Sequence, residues 1–289
     1  MIQKILEILV YGGIQSGVYA ILALGFCLML GVAGIINLTH TAFYMLGAYI
    51  IYTLIHSLGI NLYVALPISI LAVGVIGVVI QHFFIRPKLK SEYLVMMITI
   101  AAAYFIQEIL HSLYGPVDRN VESFVEGKIE LFGCVDIDLQ RILTLAVAVF
   151  LSLMLWLFIN KTKAGKAILA VSEDKEGAIL VGINVNKILS QVMFIGATLA
   201  AVAGIFIVPT IGAEIHMWEN PLVKCFAIVI LGGMGSLGGT ILASIILGYA
   251  EVIVSFTISS YLGELVAMII ILIVLISLPS GLMGKRVEA

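Results

Sequence analysis

Few residues in this sequence can do chemistry, and most of those stand inside apolar stretches. Asn37-Leu-Thr-His-Thr41 puts four hydrogen-bonding side chains in close succession: Asn37, Thr39, His40 and Thr41. Polar groups at membrane depth are costly unless satisfied, so they face a cavity or a neighbouring helix. The segment either lines a translocation path or is a polar turn that caps the next helix through Asn37 or Thr39, and both can hold together. A metal site at His40 is not expected, because no second ligand stands at helical spacing. Glu108, with Gln107 and His111 beside it, and Glu251 are carboxylates late in apolar segments. They are candidates for function, or for headgroup-level or subunit-interface positions. Gly233-Met-Gly235-Ser-Leu-Gly238, followed by Gly239, matches G-x-G-x-x-G. A dinucleotide site needs a preceding strand and a downstream acid, whereas apolar segments flank this motif. These glycines therefore read as a helix break that permits close packing. No P-loop, Ser/His/Asp set or H-E-x-x-H motif is found, so neither ATP binding nor catalysis is expected of this chain, and no cofactor or metal.

The elements that must position these residues are membrane helices. Charged residues make up 11% of the 289, against about 25% in soluble domains, and 62% are hydrophobic. Net charge is −2, which leaves no basic footprint for nucleic acid. Cys27, Cys134 and Cys225 are an odd count without metal-like spacing, and no disulfide framework is expected. The 78 residues Ile8–Ile85 contain no Asp, Glu, Lys or Arg. At about 20 residues per crossing they hold three spans, with breaks at Asn37–Thr41 and around Gly59–Asn61. Further spans are expected at Tyr93–Tyr114, Ile142–Asn160, Ile188–Ile211, within Cys225–Ala250 and at Leu265–Gly284. The first apolar stretch is too long for a cleaved signal. Continuous rather than alternating apolar runs exclude a β-barrel.

Basic residues orient the spans. Arg86, Lys88 and Lys90 share one loop; Lys161, Lys163, Lys166, Lys175 and Lys187 another; Lys285 and Arg286 close the chain. The positive-inside rule puts these in the cytoplasm, and the acidic segment 115–140 outside. Counting back through three spans puts the N-terminus, with Lys4, outside unless the first segment is a hairpin. Parity in the C-terminal part (Ile188–Ile211, Thr240–Ile258, Leu262–Leu278) needs a further crossing. Pro221–Met234, short and carrying Lys224, must supply it as a half-helix or broken helix. The expectation is one all-α polytopic membrane domain over 1–289, with about eight transmembrane segments.

The chain ends resemble each other. Leu30–Gly34, then Asn37–His40, then Tyr44–Tyr49 parallels Leu231–Gly235, then Ser236–Thr240, then Ile246–Ala250. Two parallel broken-helix repeats follow from this, and paired breaks point to a transport path. The competing reading is a shared glycine-packing habit. The cytoplasmic loop 161–187 carries Ile168, Leu169, Val171, Ile179 and Leu180 around Glu173, Asp174, Lys175 and Glu176. That pattern suits short amphipathic helices broken at Gly177 and Gly182, the second starting at Ser172 as N-cap. Such a helix offers a face to a partner groove, or lies on the membrane surface.

Lys163-x-Gly165-Lys166-Ala, Ala170-Val-Ser-Glu173-Asp174 and Ala178-x-Leu180-x-Gly182-Ile183-Asn184 resemble the coupling region of LivH-type permeases of branched-chain amino-acid ABC importers. The likeness extends through Phe194–Gly204, Leu231–Gly238 and Gly34–His40, and so over nearly the whole chain. It implies residence in a bacterial or archaeal cytoplasmic (inner) membrane. It also implies a second permease subunit (homologous or another copy), two cytoplasmic ATPases that bind the ATP, and an extracytoplasmic solute-binding protein. Lys166, Ser172, Glu173, Asp174, Glu176 and Gly182 would meet the ATPases. Asn37, Thr39, His40, Thr41, Gly235, Gly238 and Gly239 would line the path. Two departures stand out: Thr41-Ala42 where the family commonly has Gly-Glu, and Leu169-Ala170 where Arg-Ala is common. The solute is expected to be a branched-chain or related small amino acid. The rival is an ATP-independent secondary transporter or channel, which needs an ion-coupling site; the sequence displays no evident buried acid–base pair to serve.

Overall fold

A computed structural model describes residues 2–89, 91–131, 135–259, 262, 263, 265, 266, 268–270, 273 and 281–283. Ten α-helices are found among them. They are α1 (Ile2–Ala33), α2 (His40–Tyr52), α3 (Leu62–Ile80), α4 (Glu92–Tyr114), α5 (Leu139–Lys161), α6 (Lys163–Glu173), α7 (Lys175–Leu180), α8 (Val185–Ile211), α9 (Glu219–Gly232) and α10 (Leu237–Thr257). The acidic connection before α5 adds a small antiparallel hairpin to the expected all-helical chain, β1 (Lys128–Leu131) with β2 (Val135–Asp138).

Polar side chains start the long helices where the chain leaves apolar surroundings. Asn61, Ser91, Asn184 and Ser236 cap α3, α4, α8 and α10 by accepting from the backbone N–H groups of Tyr63, Leu94, Lys187 and Gly239. The breaks expected at Asn37–Thr41 and Gly59–Asn61 are present. Six helices, α1, α3, α4, α5, α8 and α10, are long and apolar enough to cross a membrane. Two of the other expected crossings differ. α2 and α9 have 13 and 14 residues, about 20 Å at 1.5 Å per residue, against ~30 Å of hydrocarbon. Each is instead held inside the chain, where a short helix leaves no backbone facing lipid. Most of the expected last span, Leu262–Leu278, the tail residues Lys285 and Arg286, and also Lys90 and Cys134 lie outside the described residues.

α8 is the axis of the packing. Its buried face is small: Gly196, Ala197, Ala200, Ala201, Ala203 and Gly204. Small residues let membrane helices approach to backbone distance. A Cβ on Gly47 of α2 would stand 2.8 Å from the Ala201 Cα, and one on Gly25 of α1 would stand 3.1 Å from the Gly196 carbonyl. Gly74 and Gly77 bring α3 against Phe194 and Ala197 of the same helix. α10 runs antiparallel to α1, with Gly248 against Ser16 and Gly235 against Gly31.

α1 is one continuous helix of 32 residues, not a hairpin. Lys175 of the basic loop bonds its C-terminal carbonyl at Ala33. Its N-terminus is therefore at the opposite face, with the 115–140 segment at the far end of α5. Single cysteines at Lys4 and Lys128, in a chain freed of its own cysteines, are expected to react with an impermeant thiol reagent from the same side of intact cells. One at Lys166 should react from the other side. Labelling of Lys4 and Lys166 together would overturn this arrangement.

Candidate functional site

The first break begins at Gly34, whose φ of +67° is natural only to glycine, and turns the chain out of α1. Asn37 is buried. Its Nδ2 lies 3.3 Å from both Met29 Sδ and Met193 Sδ, and its Oδ1 accepts from the Thr39 N–H at 3.1 Å. Asn37, Met29 and Met193 line a cavity together with Val192 and with Gln81, Ile85 and Leu89 of the segment that follows α3. Thr39 occupies the N-cap position of α2 but makes no side-chain cap bond. Its hydroxyl donates instead to the Thr99 carbonyl of α4 at 2.6 Å. His40 Nε2 donates to the Leu22 carbonyl at 2.9 Å, with the ring packed on Phe26. Among the described residues the Thr41 hydroxyl and His40 Nδ1 have no hydrogen-bond partner. Asn37 thus faces the cavity, while Thr39, His40 and Thr41 are enclosed by helix packing.

The second break is shaped by Gly233 and Gly235, with φ of +97° and +82°. Met234, Gly235 and Gly238 are exposed, whereas Gly239 packs directly on the backbone of Gly232. The free carbonyls ending α9 are met by the Leu282 and Met283 N–H groups at 2.7 and 3.1 Å. A Cβ on Gly31 would stand 2.9 Å from the Gly235 Cα, so the second break packs on the last turn of α1, three residues before the first break begins. None of Gly235, Gly238 and Gly239 lines the cavity at Asn37.

The sequence shows no evident buried acid–base pair, yet the structure contains one. Lys224 Nζ of α9 lies 2.7 Å from Glu251 Oε1 of α10, with side-chain exposures of 11% and 12%. Tyr19 of α1 donates to the other carboxylate oxygen at 2.5 Å, and Gln15 donates to the Tyr19 hydroxyl at 2.7 Å. The Lys224 ammonium also stands 5.2 Å from the centroid of the Tyr19 ring. The signal was available: Lys224 and Glu251 bracket the charge-free run Cys225–Ala250, and a lysine entering such a run must find a counter-charge. Glu108 is different. It stands on the surface, 67% exposed, beside His111 at 3.8 Å. Its neighbour Gln107 is buried and accepts from Trp218 Nε1 at 2.6 Å.

The loop 161–187 folds as α6 and α7, anchored by buried Ile168, Val171 and Ala178. The start of α7 differs from expectation. Ser172 lies in the last turn of α6, donating to the Leu169 carbonyl at 2.7 Å, and Asp174 is the N-cap, accepting from the Glu176 N–H at 3.0 Å. Asp174 has the extended backbone a cap requires, and Ser172 is still helical. Lys166, Ser172, Glu173, Asp174, Glu176 and Gly182 are all exposed. So is an apolar tip, Ile179, Leu180 and Val181, at 60%, 87% and 76%. Lys175 Nζ reaches across to donate to the Ala33 carbonyl at 2.6 Å. A cation on the last carbonyls of a helix is favourable against its dipole. Sequence reading placed Lys175 in the loop without a role.

Residues 8–275 match the family described as branched-chain amino acid transport system / permease component. The chain is 28% identical to the high-affinity branched-chain amino acid transport system permease protein LivH of Salmonella typhimurium, over 95% of this chain and 94% of that one. It is 29% identical to the permease protein BraD of Pseudomonas aeruginosa, over 97% and 96%. Among solved structures it resembles PsaBC from Streptococcus pneumoniae in complex with Fab, with a TM-score of 0.52 and 17% identity over 92% of this chain and 90% of that one. At that identity the likeness speaks to the fold alone.

The ion pair makes a stability prediction. Lys224→Met leaves Glu251 buried without its counter-charge, and breaking a buried pair this way costs about 3–5 kcal/mol. Adding Glu251→Leu removes the stranded charge and should recover most of the loss. Thermal unfolding in detergent checks this; a double variant no more stable than the single one would refute the pairing.

Proposed function

The chain belongs to the permease family of branched-chain amino acid transport systems, and on that premise we propose that it is the transmembrane permease subunit of an ATP-binding-cassette importer. The solute is a branched-chain or related small amino acid. The partners are a second permease subunit, homologous or identical, two cytoplasmic ATPases that bind and hydrolyse the ATP, and an extracytoplasmic protein that delivers the solute. The chain is multi-pass in the cytoplasmic membrane and carries no catalytic group of its own.

The observation that carries this reading is the apolar tip at Ile179, Leu180 and Val181, exposed beside the acidic groups of Asp174 and Glu176. An exposed apolar cluster rimmed by polar residues marks a protein contact, and here it stands at the face where ATPases dock. The Lys175 bond to Ala33 connects that contact to the end of α1. ATPase closure presses on α6 and α7, and Lys175 passes the displacement to α1 and to the Gly31–Gly235 contact. The end of α1 and the second break then shift together, and the route opens first outward, then inward. The inner stretch of that route runs past Asn37, where side chains from α1, α8 and the segment 81–89 leave a cavity. In the closed arrangement Met29 and Met193 fill it from two sides.

Uptake of labelled leucine into proteoliposomes holding the complete complex tests the function. It should require ATP and the binding protein, and uptake independent of ATP would overturn the reading. Leu180→Glu with Val181→Glu should reduce co-purified ATPases at least tenfold without changing the yield of this chain, because the tip makes no internal core. Asn37→Trp should leave the ATPases attached but bring uptake near zero. Overfilling a packed site costs about 1–3 kcal/mol, so unfolding in detergent is measured in parallel. Normal uptake by this variant would remove Asn37 from the route.

A further inference from the structure

Lys224 and Tyr19 lie near the middle of α9 and α1 and Glu251 in the latter part of α10, among apolar neighbours where a charged pair is expensive to keep. Replacing a buried ion pair by apolar side chains of similar volume is often neutral or stabilising, so packing alone gives no reason to retain one. Each side chain keeps about a tenth of its surface accessible. Among the described residues Lys224 donates a hydrogen bond to Glu251 alone, and the rest of its ammonium lies toward the Tyr19 ring. Glu251 takes one bond on each oxygen, and a carboxylate has room for about four.

We propose that Lys224 and Glu251 form an exchange site for a zwitterion. The solute's carboxylate takes the place of Glu251 on the Lys224 ammonium, and its ammonium takes the place of Lys224 on the Glu251 carboxylate. The proposal rests on the reading of this chain as an amino-acid permease. Its physical basis is charge balance. Opening the pair for a neutral solute strands two buried charges, and opening it for a singly charged one strands one. A zwitterion supplies both signs, so every charge stays paired while the original bond is broken. Tyr19 suits both states: its hydroxyl holds one carboxylate oxygen throughout, and its ring accepts whichever ammonium stands over it. Gln15 fixes the Tyr19 hydroxyl. Phe26, fully buried and packed edge-on to Phe226 at 4.9 Å, stands between Tyr19 and Met29 along α1, and Met29 lines the Asn37 cavity. Ten residues separate Tyr19 from Met29, about 15 Å along α1.

The test uses the complete complex in proteoliposomes, with its binding protein, ATP and a diazirine-bearing leucine analogue. In the natural chain, photolysis during turnover should attach the analogue to peptides of α1, α9 or α10 that contain Tyr19, Lys224 or Glu251. The double variant Lys224→Met, Glu251→Leu should still co-purify with the ATPases, lose that attachment, and take up leucine at least tenfold more slowly. Uptake by this variant at the natural rate would overturn the proposal, as would attachment only elsewhere or none at all in the natural chain. Should the double variant fail to assemble, the attachment site in the natural chain decides alone. If the natural complex takes up leucine but the site prediction fails, only the exchange site falls. If it takes up no amino acid, the functional reading falls as well.

Discussion

Lipid offers no hydrogen bonds, and this single constraint accounts for how the chain is broken and repaired. A helix that stops inside the membrane exposes backbone groups that must find partners within the protein. Even at the face of the basic loop, where α1 ends at Ala33, a lysine from another segment takes the free carbonyl. α9 ends at Gly232, and the N–H groups of Leu282 and Met283 take its carbonyls. Thr39 begins α2 and gives its hydroxyl to α4, while Gln140 and Thr144 of α5 donate to the Phe206 carbonyl of α8, close to the Pro209 interruption. Each irregularity thus binds two or more elements together. The polar residues at these places serve as cross-links before they serve any solute.

The same constraint explains what could be read from the sequence. Crossings such as α3, α5 and α8 follow from long charge-free runs, and α4 from a run that only Glu108 interrupts, because length and polarity alone decide them. Breaks at Asn37–Thr41 and Gly233–Ser236 follow from polar and glycine clusters. The amphipathic pair α6 and α7 follows from spacing. The roles of single side chains did not follow. Thr39 has the type and position of an N-cap, yet its hydroxyl goes to Thr99, a residue 60 positions away whose proximity is set by tertiary packing. Asp174 rather than Ser172 caps α7, a shift of two residues that local propensity does not distinguish. Lys224 and Glu251 are 27 positions apart and meet because α9 folds back on α10. Of the two breaks, one places Asn37 on a cavity and the other packs glycine on glycine, a difference that equal-looking motifs conceal.

Small residues supply the second half of the architecture. Once polar groups are satisfied, apolar helices gain nothing by leaving lipid for each other except close contact. The Gly and Ala face of α8 provides it, gathering α1, α2 and α3 around one axis. α2, too short to cross, survives because its His40, Thr41, Phe43, Met45 and Tyr49 are all enclosed by that cluster. The result is a dense body of α1, α2, α8 and α10, with α3, α4 and α5 showing broad apolar flanks outward.

The position of the Gly31–Gly235 contact carries a mechanical meaning. Lys175 grips α1 at Ala33, two residues beyond the contact, while 29 residues of the same helix extend on the other side. At 1.5 Å of rise per residue the arms measure roughly 3 and 44 Å. α10 lies along the long arm, with Gly248 fitted to Ser16 and the Tyr249 hydroxyl donating to the Leu9 carbonyl at 3.0 Å. Pivoting there, a displacement of a few tenths of an ångström at the short arm becomes a swing of several ångströms at the far end, at about one-fifteenth of the force. The gearing favours reach over strength. It suits a helix pair that must sweep a wide opening against a fluid bilayer and a lightly held cargo, and it leaves the heavy work of closure to whatever drives the short arm.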